Sequence, residues 1–126
     1  ATLAFAIRKR IMMCEDSFKP ILTNGKAGRN VKNAIETYAD GITEKDVFAI
    51  QDTSLLKNGK SGILYTEKGI FSSFLGGRAM LAYEDMEYVM EHMHGKISIK
   101  LKNGEEKIIN PGRLKNSLLY IFNFHS

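Results

Sequence analysis

From about residue 46 onward, apolar side chains recur at every second position in short runs closed by glycine-bearing turns, a rhythm that suits extended strands joined by hairpins. Ser61 to Phe74 sets the pattern, because Ile63-Leu64-Tyr65 and Ile70-Phe71 flank a compact polar turn at Thr66-Glu67-Lys68-Gly69. Val47 to Ile50 reads as the strand before it, and Thr53 to Ser61 as a polar loop between them. Gly76-Gly77 suits a two-residue turn, since both positions tolerate positive φ, and Arg78 to Tyr83 then reads as a returning strand. Lys96 to Lys102 alternates cleanly, with Ile97, Ile99 and Leu101 on one face, and Asn103-Gly104 turns it back into Glu105 to Ile109. Residues 84–94 fit two periods. As a strand they put Met86, Tyr88, Met90, His92 and His94 on one face; as a helix they gather Tyr83, Met86, Val89, Met90 and Met93. The flanking strands and the shortness of links in compact domains favour the strand.

The chain before this region has a different period. Leu3, Ile7 and Ile11 form a four-residue stripe, predicting a helix that runs toward Phe18 and ends before Pro20. Thr23 to Asn30 reads as loop. Val31, Ala34, Ile35 and Tyr38 then mark a second helix with Asn30 as N-cap and Gly41 as terminator. At the far end, Asn110-Pro111 suits a helix opening, and Leu114, Leu118, Ile121 and Phe122 give a closing amphipathic helix.

The expected fold is therefore α+β and mainly β. One or two N-terminal helices, in a segment 1–44, precede about seven antiparallel strands that curl into a small barrel or two orthogonal sheets, capped by the C-terminal helix. With 126 residues, 44% of them hydrophobic, a single domain is the default expectation. Gly-Lys-Ser-Gly at 59–62, the run Ile63-Leu64-Tyr65-Thr66-Glu67-Lys68-Gly69-Ile70 and the step Tyr83-Glu84-Asp85-Met86 resemble bacterial pleckstrin-homology-like domains, related loosely to GRAM domains, over roughly residues 45–123. The resemblance implies a barrel capped by a helix and a role as a scaffold for proteins or lipid headgroups. Phosphoinositide-binding members of that wider superfamily use basic residues in the loop between the first two strands, and the matching positions are Lys57 and Lys60, with Arg78 nearby.

Charge narrows the partners. Residues 1–33 hold seven Lys or Arg against Glu15 and Asp16, whereas the rest of the chain is close to balanced, so the net charge of +4 is an N-terminal property. Arg8, Lys9 and Arg10 form one basic run, and Lys26, Arg29 and Lys32 surround a glycine-containing loop; both are candidate contacts for phosphate-bearing ligands, whether lipid headgroup or nucleic acid. A single cysteine, Cys14, forms no internal disulfide, which points to a reducing, cytoplasmic setting. No run of 18 apolar residues predicts a membrane span.

Catalytic patterns fail one by one. Asn58-Gly59-Lys60-Ser61 carries the Gly-Lys-Ser of a nucleotide-binding loop, but the glycine that motif needs five residues earlier is Ser54. His92 and His94, with His125 near the terminus, fall short of the three or four converging ligands of a zinc site. Cys14 has no recognisable base partner. No cofactor or metal is implied, and the expectation is a non-enzymatic binding module acting on a protein partner or on a second copy of itself, with anionic lipid or nucleic acid as the alternative ligand.

Overall fold

The computed structural model describes residues 3–24, 28–75 and 80–123, and among them the chain is α+β, with three α-helices and two antiparallel sheets. The first sheet is a five-stranded meander of β1 (Ile21–Leu22), β2 (Val47–Asp52), β3 (Gly62–Thr66), β4 (Gly69–Ser72) and β5 (Leu81–Ala82). The second is a three-stranded meander of β6 (Met86–His92), β7 (Lys96–Leu101) and β8 (Glu106–Ile109). No closed barrel is found among the described residues. The first ladder stops at the two-residue β5, where Tyr83–Asp85 coils into a 3-10 turn instead of extending the strand. Two compact units result, one continuous from Pro20 to Leu81 and one assembled from Ala1–Lys19 and Ala82–Ser126.

In the continuous unit, β2, β3 and β4 carry adjacent apolar residues at 47–50, 63–65 and 70–71, and all but Asp52 among their residues are buried. Such runs belong to strands covered on both faces. Register places Ile50 beside Leu64 and Leu64 beside Phe71 on one face, and Ala49, Tyr65 and Ile70 in line on the other. The helix α2 (Arg29–Tyr38) lays Val31, Ala34 and Tyr38 against the first row, with Ile35 and Ile42 at its margin. Each large side chain taken fully from water there stabilises the unit by roughly 1.5–3 kcal/mol. The helix starts two residues earlier than an Asn30 N-cap predicts. Gly28 is the N-cap in extended geometry, and the Asn30 side chain accepts the Val31 N–H inside the first turn. Gly41, at φ 101°, reverses the chain after α2, and Thr43 with Asp46 forms a capping box around the 3-10 turn Glu44–Asp46. The strand β1 was hidden in the sequence, because two residues carry no periodicity; it pairs Ile21 with Ile50, and the Thr23 hydroxyl donates to the Val47 carbonyl.

The split unit is built around β7. Ile97, Ile99 and Leu101 face inward as the alternation requires, and α3 (Lys115–Ile121) packs on β6 and β7, burying Leu118 and Ile121 together with the flanking Leu114 and Phe122. The 3-10 turn Gly112–Leu114 leads into that helix. The first helix, α1 (Leu3–Met13), buries Ala4, Ile7 and Ile11 and packs against α3 and the Tyr83–Asp85 turn. Residues 84–94 do form a strand over most of their length, but its faces differ from simple alternation. Met86 pairs with Leu101 and Tyr88 with Lys100, so one residue, Glu87, is extra and the ladder bulges. A bulge reverses the phase of the strand beyond it. Met86 is therefore inward, Val89 sits opposite buried Ile99, and Tyr88, Met90 and His92 face outward.

Candidate functional site

The loop between β2 and β3 is a built object. Asp52 accepts hydrogen bonds from the Ser54 N–H and hydroxyl at 2.9 and 2.6 Å and from the Gly59 N–H at 3.0 Å. The Ser54 hydroxyl in turn accepts the Asn58 N–H, and Thr53 and Ser61 pair through both backbone and side chains. The loop is also fastened to α2, since the Asn33 amide donates to the Asn58 carbonyl at 2.8 Å. Gly59 is forced by that contact. Its φ is +80°, and a Cβ there would stand 1.9 Å from the Asn30 carbonyl oxygen.

This fastening brings together cations that are far apart in sequence. Lys57 and Lys60 are exposed on the loop, and Arg29 is exposed on the first turn of α2, which the loop touches through Asn30 and Asn33; Lys32, also exposed, lines a cleft with Glu36 and Glu44. The acid at the base of the loop, Asp52, is folded inward onto Ser54 and Gly59. At the tip stand Leu55 and Leu56, 93% and 82% exposed, the most exposed large apolar side chains among the described residues. Arg78 and Lys26, both candidate anion contacts, lie outside the described residues.

The N-terminal basic run divides. Arg8 and Lys9 are exposed on α1, whereas the Arg10 guanidinium donates twice to the Tyr120 carbonyl, at 3.0 and 2.7 Å, and lies 4.0 Å over the Tyr120 ring. A planar fork on a carbonyl with a ring beneath it is a structural clasp between α1 and α3. The histidines also divide. His92 closes β6 on the outward face, while His94 lies in the following turn at φ 61° with Gly95 at 74°, the paired left-handed geometry of a tight hairpin. Among the described residues no group of three His, Cys, Asp or Glu is placed to hold a metal.

A second surface lies on the outward face of β6–β8. Met90, Ser98 and Ile108 form one cross-strand row, with Tyr88 in the row beside it, and Tyr88, Met90 and Ile108 are all exposed. Ser98, between Met90 and Ile108, is buried and donates to Glu106 at 2.7 Å, while Lys96, Lys100 and His92 rim the patch. The alternation of β7 foretold its polar positions; the bulge that turns Tyr88 and Met90 onto the same face had no sequence signal.

One further concavity belongs to the continuous unit. A cleft of about 300 Å³ is floored by Ile42, Phe71 and Met80 and rimmed by Asp46, Glu67 and Lys68. The strongest electrostatic anomaly lies beneath α2. The Tyr38 hydroxyl is buried without a hydrogen-bond partner among the described residues, and burial, with the Asp52 carboxylate second, pushes its ionisation well above the ordinary tyrosine range.

Compared with protein-family models, with curated proteins and with solved structures, the chain finds no match. Among the described residues no helix is long and apolar enough to cross a membrane.

Proposed function

We propose that this chain is a non-enzymatic binding module of pleckstrin-homology-like type, acting in the cytoplasm on a protein partner or on a second copy of itself. The succession of a β2–β5 meander, a β6–β8 meander and a closing helix supports the family reading. The observation that carries the binding role is the outward row of Met90 and Ile108 with Tyr88 beside it, an apolar patch ringed by Lys96, Lys100, Glu106 and His92. An apolar centre with a polar rim is the anatomy of a protein contact. Affinity capture with the wild-type chain and with Met90→Lys/Ile108→Lys tests it. A partner, or a second copy of the chain, recovered by the wild type and lost from an equally stable variant is the expected result; identical recovery by both overturns the assignment of this face.

A second reading is favoured by the grouping of Lys57, Lys60 and Arg29, whereas Lys32 stands beside the exposed Glu36 and Glu44. That reading is the binding of phosphate-bearing ligands; Arg8 and Lys9, exposed on α1, are a separate candidate pair, while Arg10 serves the α1–α3 clasp. Binding to a polyanion that weakens steeply between low and physiological salt supports this reading; salt-independent binding, or none, removes it.

A further inference from the structure

We propose that the outward face of β6–β8 receives an acidic amphipathic helix, whose apolar anchor seats over Ser98 and whose carboxylates meet Lys96 and Lys100. This rests on the reading of that face as a protein contact and names the chemistry of its partner. Along the central strand β7, the outward residues are Lys96, Ser98 and Lys100, and register sets Ser98 between Met90 on β6 and Ile108 on β8. Ser98 is the small residue at the centre, 3% exposed, and the longer exposed side chains flank it. The result is a shallow apolar seat with a lysine at each end. Its dimensions suit one helix. Met90 and Ile108 stand two strand spacings apart, roughly 10 Å, close to the width of a helix. Lys96 and Lys100 stand four strand residues apart, roughly 13 Å, and positions four residues before and after an anchor on one helix face span about 12 Å.

Charge selects the occupant. Among the described residues neither Lys96 nor Lys100 is in an ion pair. The acids of the three strands are otherwise placed. Glu106, although opposite Lys100, accepts the Ser98 hydroxyl at 2.7 Å. Glu91 is in register with inward Ile97 and lies 3.5 Å from Lys115 on α3, and Glu87 is exposed at the bulge, beside Tyr88. Two cations at the ends of an apolar seat call for carboxylates on either side of an apolar side chain. A second copy does not supply them. Stacked about a twofold axis through Ser98, β7 crosses its own counterpart and sets lysine against lysine in either in-plane orientation.

The test is a selection on the intact chain from a displayed library of alanine-rich helical peptides. Each peptide has a fixed central leucine and random residues four positions before and four after it. Binding that Met90→Lys/Ile108→Lys removes identifies the peptides seated on this face, and these should carry Asp or Glu at both random positions. Selection on Lys96→Glu/Lys100→Glu should turn both positions to Lys or Arg, a reversal that a merely structural role for the lysines does not produce. A peptide selected on the wild type should bind that variant at least about tenfold more weakly. Thermal unfolding equal to wild type in both variants keeps the comparison clean. Face-dependent peptides with no acidic preference overturn the acidic helix and leave the protein-contact reading standing. Sedimentation that shows wild-type dimers, lost in Met90→Lys/Ile108→Lys, gives the face to a second copy and overturns it likewise. Recovery of no face-dependent peptide also overturns it, and identical partner capture by the wild type and Met90→Lys/Ile108→Lys removes the contact reading as well.

Discussion

The two sheets of this chain are both antiparallel meanders, yet one is dry and the other is half wet. In β2, β3 and β4 the residues of both faces are buried, whereas in β6–β8 the inward row Met86, Ile97, Ile99 and Leu101 is buried and the outward row Tyr88, Met90 and Ile108 meets solvent. The sequences differ in the same way: two to four apolar residues stand side by side in each of β2, β3 and β4, whereas β7 alternates strictly. Substitutions of equal size should therefore have unequal consequences. Leu64→Ala in the dry sheet should cost about 2–5 kcal/mol. Ile108→Ala on the wet face should stay within about 0.5 kcal/mol, as surface changes do. Denaturant unfolding of the two variants measures the contrast, and comparable losses would break it.

Next in size is Gly59→Ala, which asks whether the dry unit is as unyielding in its loop as in its strands. The left-handed backbone and the Asn30 carbonyl 1.9 Å from a new Cβ predict a loss of about 2 kcal/mol or more, read in the same unfolding assay. Stability near wild type would mean that the loop gives way. In the split unit the corresponding fastening is polar. Arg10→Ala removes two charged hydrogen bonds to the Tyr120 carbonyl and the stack on its ring, and should cost about 1–2 kcal/mol, with hydrogen exchange rising in α1 and α3. The exposed Lys115–Glu91 pair at 3.5 Å offers no such support.

The smallest effect has the opposite sign. Tyr38 places in the dry core a hydroxyl with no partner among the described residues, so Tyr38→Phe should leave stability unchanged or raise it by up to about 1 kcal/mol. Its pH behaviour sharpens the point. The folded state raises the Tyr38 pKa, chiefly by burial, above the unfolded value near 10, so the stability tied to the neutral phenol is complete below that pH. It is lost as pH climbs further, and Tyr38→Phe should shift alkaline unfolding to higher pH, as circular dichroism across pH 9–12 would record.

Elements with several turns of their own period were legible in the residues. Val31, Ala34 and Tyr38 marked α2, Leu114, Leu118 and Ile121 marked α3, and Ile97, Ile99 and Leu101 with Asn103-Gly104 marked the β7–β8 hairpin. The features that escaped depended on contacts between distant positions. Ile21–Leu22 is a strand only because β2 is beside it, and the faces of β6 depend on the bulge at Glu87. The candidate site shows the same division. Lys57 and Lys60 could be picked out as loop cations, but their neighbourhood with Arg29 comes from the Asn33–Asn58 bond and the close approach at Gly59. Arg10 looked like its neighbours Arg8 and Lys9 until its partner, 110 residues away, was known.

The division of the chain also sets an order of assembly on the ribosome. Residues 20–81 are contiguous and can condense as soon as they emerge, while α1, made before them, must wait for α3 to supply the carbonyl that its guanidinium holds. A segment synthesised ahead of the continuous unit is thus seated after it.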